Sequence, residues 1–148
     1  MISYFPDLNV WLALTVGPHE HHQNAANWLD SVSGTARIGF SRYTQIGLIR
    51  LLANSAVMGT GALTLGKAWA VYERWLEDPR VELFPEPGDL DRAFREALSP
   101  FFGKAASQVL GDVYLLAFAK RSDAMLVTFD KALFKLAQRQ NCAGVFPA

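Results

Sequence analysis

The chain has 148 residues, 51% apolar and 19% charged, with 14 basic residues balanced by 14 acidic ones. That composition excludes a disordered chain, and the zero formal charge removes the basic excess by which many nucleic-acid binders are known, while leaving room for a local basic patch. The single Cys142 has no partner for an internal disulfide, no apolar run is long enough to span a bilayer, and no cationic leader precedes an apolar core. One domain over residues 1–148, without membrane association and in the cytoplasm, is the expectation.

In chain order, the apolar run 2–6 has strand length and ends at a lone acid, Asp7, with a helical apolar run directly behind it. Gly17-Pro18 breaks that helix, and residues 19–33 read as a second one, closed by Ser33-Gly34. Arg37–Phe40 is a short strand, and Ser41 is a good N-cap for a helix over Arg42–Leu52. The Gly- and Ser-rich segment 54–64 reads as a loop. Residues 65–76, with Trp69, Tyr72 and Trp75 at helical spacing, form an amphipathic helix closed by Asp78-Pro79. A strand over 81–84, a polar helix over 89–98 and a loop over 99–108 follow. Residues 110–119 are apolar almost all round apart from Asp112, so they predict a buried helix. Residues 125–129 are the clearest strand; Asp130 ends it, Lys131–Arg139 is helical, and 145–146 adds a last strand. Strands alternating with helices predict a parallel α/β sheet.

Three acids stand out by position. In a parallel sheet the strand ends at Asp7 and Asp130 share one edge, where ligands gather in open α/β folds, and helix starts such as that near Asp112 lie on it too. Asp123, before its strand, falls on the opposite edge. Helix capping is the simpler explanation for any one of these acids. Together they argue for more, because a buried helix rarely tolerates an unpaired acid, and converging carboxylates are most easily sustained by a hard divalent cation with oxygen ligands.

Four stretches, 7–12 (Asp-Leu-Asn-Val-Trp-Leu), 41–47 (Ser-Arg-Tyr-Thr-Gln-Ile-Gly), 111–115 (Gly-Asp-Val-Tyr-Leu) and 128–130 (Thr-Phe-Asp), resemble the PIN-domain ribonucleases, specifically the VapC toxins of bacterial toxin–antitoxin pairs. Each is weak alone; four in order at plausible spacing are not. The resemblance implies an α/β/α sandwich with a central, mostly parallel sheet of four to five short strands. It also implies a metal-dependent endoribonuclease using Mg²⁺, or Mn²⁺ in its place. On that template Asp7 and Asp112 are metal ligands, Asp130 completes the site directly or through water, and Thr128, Asn9 and Ser41 support it. It further implies RNA as substrate, a cognate antitoxin as partner, and a homodimer.

The chain departs from the pattern at one position. PIN nucleases usually carry a glutamate where Gln45 stands; an amide still offers an oxygen but no charge, so restoring Glu there is expected to tighten metal binding. A second reading follows, a PIN-like module that binds RNA or an antitoxin without cleaving. An aspartate-nucleophile phosphatase is disfavoured because Asp7-Leu8-Asn9 lacks the second acid of Asp-x-Asp. Among Arg37, Arg42, Arg50, Lys104 and Arg121, Arg42 is best placed to contact RNA. His19, His21 and His22 lack a fourth zinc ligand and read as a solvated helix start.

Overall fold

Alternation along the strands decides which side of the sheet each apolar residue serves. The computed structural model describes residues 1–148. Strands β1 (Ser3–Pro6), β2 (Arg37–Phe40), β3 (Val81–Leu83), β4 (Met125–Val127) and β5 (Gly144–Val145) pair in the order β3-β2-β1-β4-β5, every pair parallel. Eight helices connect and flank them: α1 (Leu8–Thr15), α2 (His22–Ser31), α3 (Arg42–Leu52), α4 (Ser55–Met58), α5 (Leu65–Trp75), α6 (Leu90–Leu98), α7 (Leu110–Arg121) and α8 (Lys131–Arg139). Phe5 and its cross-strand partner Leu126 join a core built with α6, α7 and α8. Ile38, Phe40 and Val127 point the other way, into a core built with α1, α2, α3 and α5. That second core centres on Trp11, whose indole stacks on Phe40 at 3.8 Å between centroids. No helix is long and apolar enough to cross a membrane.

The chain lays down β1, β2 and β3 in one direction, then returns past β1 to add β4 and β5 on its other side. The sheet order therefore reverses between β1 and β4, and at such a switch point the carboxyl-end crevice opens. Asp7 follows β1 and Asp130 follows β4, so both acids stand on its rim.

The sheet is parallel with five short strands, as expected, but several elements differ at their bounds. β4 ends at Val127, although the Thr128 N–H still donates to the Val145 carbonyl at 3.0 Å, and β5 is Gly144–Val145 rather than 145–146. α2 begins at His22, since His19–His21 form a tight turn in which the His21 N–H donates to His19 Nδ1 at 3.0 Å. Within the predicted loop 54–64, Asn54 accepts from the Ala56 N–H and starts the single-turn α4. α7 runs on to Arg121, and its first turn is half-buried or exposed; complete burial begins at Val113.

Gly39 in β2 lies under the Phe84 ring, where a Cβ would overlap the aromatic carbons. Gly39→Ala is therefore expected to cost about 1–3 kcal/mol, the usual range for overpacking a close-packed core. Urea unfolding measures this, and a variant as stable as wild type would show that Phe84 moves freely.

Candidate active site

Each of the three acids is held differently. The Asp7 backbone N–H donates to the Val127 carbonyl at 2.9 Å, tying the end of β1 to that of β4. Its side chain, 4% exposed, caps α1: Oδ1 accepts from the Val10 N–H at 2.9 Å and Oδ2 from the Thr128 hydroxyl at 2.5 Å. The Thr128 oxygen in turn accepts from the Asp130 N–H at 2.9 Å. Asp130 is exposed and caps α8, its Oδ1 accepting from the N–H groups of Ala132 and Leu133 at 2.9 and 3.1 Å. Capping thus accounts for part of both residues. Asp112 is different: it sits in the first turn of α7, half-buried, and no protein hydrogen bond holds its carboxylate.

Burial pushes the Asp7 carboxyl up from its ordinary 3.8 to about 6, against the lowering pull of Thr128 and the Val10 N–H, and the charges of Asp112 and Asp130 push it further. Asp112 is also raised, first by burial and then by Asp130. The three carboxylates therefore feel one another. They do not form a ready-made cage, since no three acidic, His or Cys side chains stand close enough to enclose an ion as placed. The donor set, all oxygen and all anionic, fits a hard divalent cation.

A model of the PIN domain matches residues 4–139. The chain belongs to the PIN-domain family. It is 41% identical over 133 residues to Ribonuclease VapC41 of Mycobacterium tuberculosis, a match covering 85% of this chain and 88% of that protein. It is 31% identical over 134 residues to Ribonuclease VapC33 of the same organism, covering 89% and 91%. The crystal structure of VapBC2 from Rickettsia felis bound to a promoter DNA fragment superposes with a TM-score of 0.71 over 98% of both chains. At 15% identity that likeness concerns the fold.

In this PIN domain the remaining predicted site residues are each placed differently. Ser41 is fully buried and structural: it forms a reciprocal capping box with Thr44 at the start of α3. Asn9 lies exposed on the first turn of α1. Gln45 is not a solvated helix residue, being 3% exposed, and its Oε1 accepts from the exposed Arg42 guanidinium at 2.6 Å. The oxygen that sequence reasoning offered to a metal thus already has a cationic partner. A Glu at 45 is accordingly expected to pair with Arg42. Gln45→Glu alone should change Mn²⁺ affinity by less than about threefold, whereas adding Arg42→Ala should tighten it by about tenfold. Titration calorimetry separates these outcomes, and a single variant that already binds tenfold more tightly would show that Arg42 does not screen position 45.

Of the other basic residues, Arg37 is engaged by Glu82 through two hydrogen bonds at 2.5 and 3.1 Å, and Arg121 pairs with Asp89 at the far end of α7. The histidines belong to structure as well: His22 Nδ1 lies 2.7 Å from the Ala13 carbonyl and His21 stacks on Phe129 at 4.4 Å. Two contacts at this edge were missed in the sequence. α3 and α7 meet so closely that a Cβ on Gly111 would stand 2.6 Å from the Tyr43 hydroxyl, and Tyr43 packs on Tyr114 at 5.1 Å. The spacing of Gly111 just ahead of Asp112 was the only available signal.

Proposed function

We propose that this PIN domain, acting as one domain over its whole length, is an endoribonuclease toxin of a type II toxin–antitoxin pair, dependent on Mg²⁺ with Mn²⁺ as substitute. The reading is carried by the placement of Asp7 and Asp130 after β1 and β4 at the sheet's switch point, with Asp112, in no protein hydrogen bond, near enough that its charge raises Asp7. Its relatives' designation as ribonucleases supports it.

Asp7 and Asp112 would hold the ion, with Asp130 completing the site directly or through a water. When bound, the cation lowers the pKa of a water and offsets charge developing on the phosphate, so no nucleophilic side chain is needed. The chain's own contribution is positional. Val10 and Thr128 fix both oxygens of Asp7, and Thr128 links that carboxylate to the turn that carries Asp130. Above about pH 6 Asp7 is predominantly the anion. Arg42, on the first turn after β2, contributes the positive charge that draws an RNA phosphate to this edge.

The partner would be a protein antitoxin, as in the VapBC assemblies that share this fold. Exposed Ile46, Leu65 and Trp69 on α3 and α5 provide apolar surface for that partner or for homodimerisation. The alternative, a module that binds without cleaving, draws on Gln45. Purified protein incubated with structured RNAs in Mg²⁺, Mn²⁺ or EDTA decides between them. Cleavage is expected in either metal and none in EDTA. Cleavage that persists in EDTA rejects the metal mechanism, and RNA binding without cleavage in either metal favours the alternative.

A further inference from the structure

A cavity of about 530 Å³ opens past the ends of β2 and β3, against α7. Its lining combines three kinds of chemistry. Half-buried Tyr114 supplies aromatic surface above the buried Phe84 and Phe118, Arg42 a cation and Glu86 an anion. The walls are fixed rather than mobile. Phe84 is held over Gly39, and Tyr114 packs against Tyr43, Phe94 and Phe118 at 5.1, 5.8 and 6.0 Å. Arg42 is anchored through one guanidinium nitrogen to Gln45, which leaves the rest of its fork without a protein partner. Arg42 follows β2 and Phe84 to Glu86 follow β3, so the cavity lies on the carboxyl edge of the sheet that also carries Asp7 and Asp130.

From this arrangement we infer that the cavity is a nucleotide subsite, receiving the base of the residue that adjoins the scissile phosphate. The inference rests on the ribonuclease reading above. Unpaired RNA bases are bound by stacking on aromatic side chains and by hydrogen bonds to their edges, and both elements are present here. Arg42 takes the adjoining phosphate, with Gln45 as its positioning residue; an amide serves this purpose where a glutamate would neutralise the guanidinium. Glu86 sets the base preference. A carboxylate accepts two hydrogen bonds and donates none, so it matches guanine, whose Watson–Crick edge offers adjacent N1–H and N2–H donors. Cytosine and adenine each offer one amino donor. Uracil presents carbonyl oxygens on either side of a single N–H and is the poorest match.

The test measures binding of short single-stranded RNAs by fluorescence anisotropy in EDTA, so that neither metal nor cleavage enters. The RNAs are identical except for G, A, C or U at one position. Wild type is expected to favour G over U by about tenfold, the low end for one well-formed base contact, and Glu86→Gln to lose most of that preference. Glu86 is exposed, so this substitution does not threaten the fold. Arg42→Ala should weaken all four RNAs alike by about tenfold and reduce the salt dependence by about one phosphate contact. Gln45→Ala should weaken the four uniformly but less, and Gln45→Glu should resemble Arg42→Ala; equal affinities for wild type and Gln45→Glu would remove the positioning role. If wild type cleaves RNA in Mg²⁺ yet Glu86→Gln leaves the base preference unchanged, the subsite is wrong while the ribonuclease reading stands. If wild type neither binds nor cleaves any RNA, both fall.

Discussion

Asp7→Asn is expected to cut RNA cleavage sharply while making the metal-free protein more stable at neutral pH. In the folded chain the Asp7 carboxyl titrates near 6, against 3.8 as its ordinary value, so between these values the native state holds a proton that the unfolded chain has released. Stability therefore falls as pH rises over that interval and stays lower above it, by about 3 kcal/mol for a shift of about two units. Asparagine removes this titration. It still caps α1 through its carbonyl oxygen, but its amide now faces Thr128, whose hydroxyl proton loses its acceptor at a cost of about 1 kcal/mol. The net gain is about 1–2 kcal/mol above pH 6.5, vanishing or reversing near pH 4. Thermal unfolding in EDTA across pH 4–8 measures it. Adding Mg²⁺ should stabilise wild type and not the variant, as the proposed metal site requires. Cleavage should fall about a hundred- to a thousand-fold, as when a preorganised charge is removed from a reaction centre. A variant less stable than wild type at pH 8 would mean that Asp7 is not pushed up by its burial.

Much of this site was legible because it follows from local pattern and sheet geometry. Apolar runs of strand length that end in an acid located Asp7 and Asp130, and the parallel sheet placed both on one edge, with Asp123 left behind in a left-handed turn before β4. The apolar surroundings of Asp112 likewise survive folding, although its own turn is only half-buried. What escaped the sequence depends on distance between elements. That Thr128 bridges Asp7 to Asp130 requires β4 to lie beside β1, a result of the chain's return across the sheet. Glu86 and Tyr114 line one cavity only because β3 is the edge strand beyond β2. The Arg42–Gln45 contact is a partial exception. Three residues apart on a helix, they share a face, and that spacing was a usable signal.

Asp112→Asn and Asp130→Asn are expected to separate in activity while both leave the fold intact. Asp112 makes no protein hydrogen bond, so replacing its carboxylate removes a half-buried charge and nothing that holds α7 in place. Its melting temperature should match or slightly exceed wild type in EDTA, and cleavage should drop about a hundred- to a thousand-fold. Asp130 has a second task, capping α8, which asparagine performs about as well. It is also exposed, where a charge acts through a higher effective dielectric and so contributes less. The loss for Asp130→Asn should be about tenfold to a hundredfold, the range for groups that act on a metal through an intermediate partner. Single-turnover cleavage in Mg²⁺, with Mn²⁺ titrations of the same variants, reads both. Equal losses would make Asp130 a direct ligand on a par with Asp112, and a larger loss at Asp130 would move the centre of the site from the first turn of α7 to the end of β4.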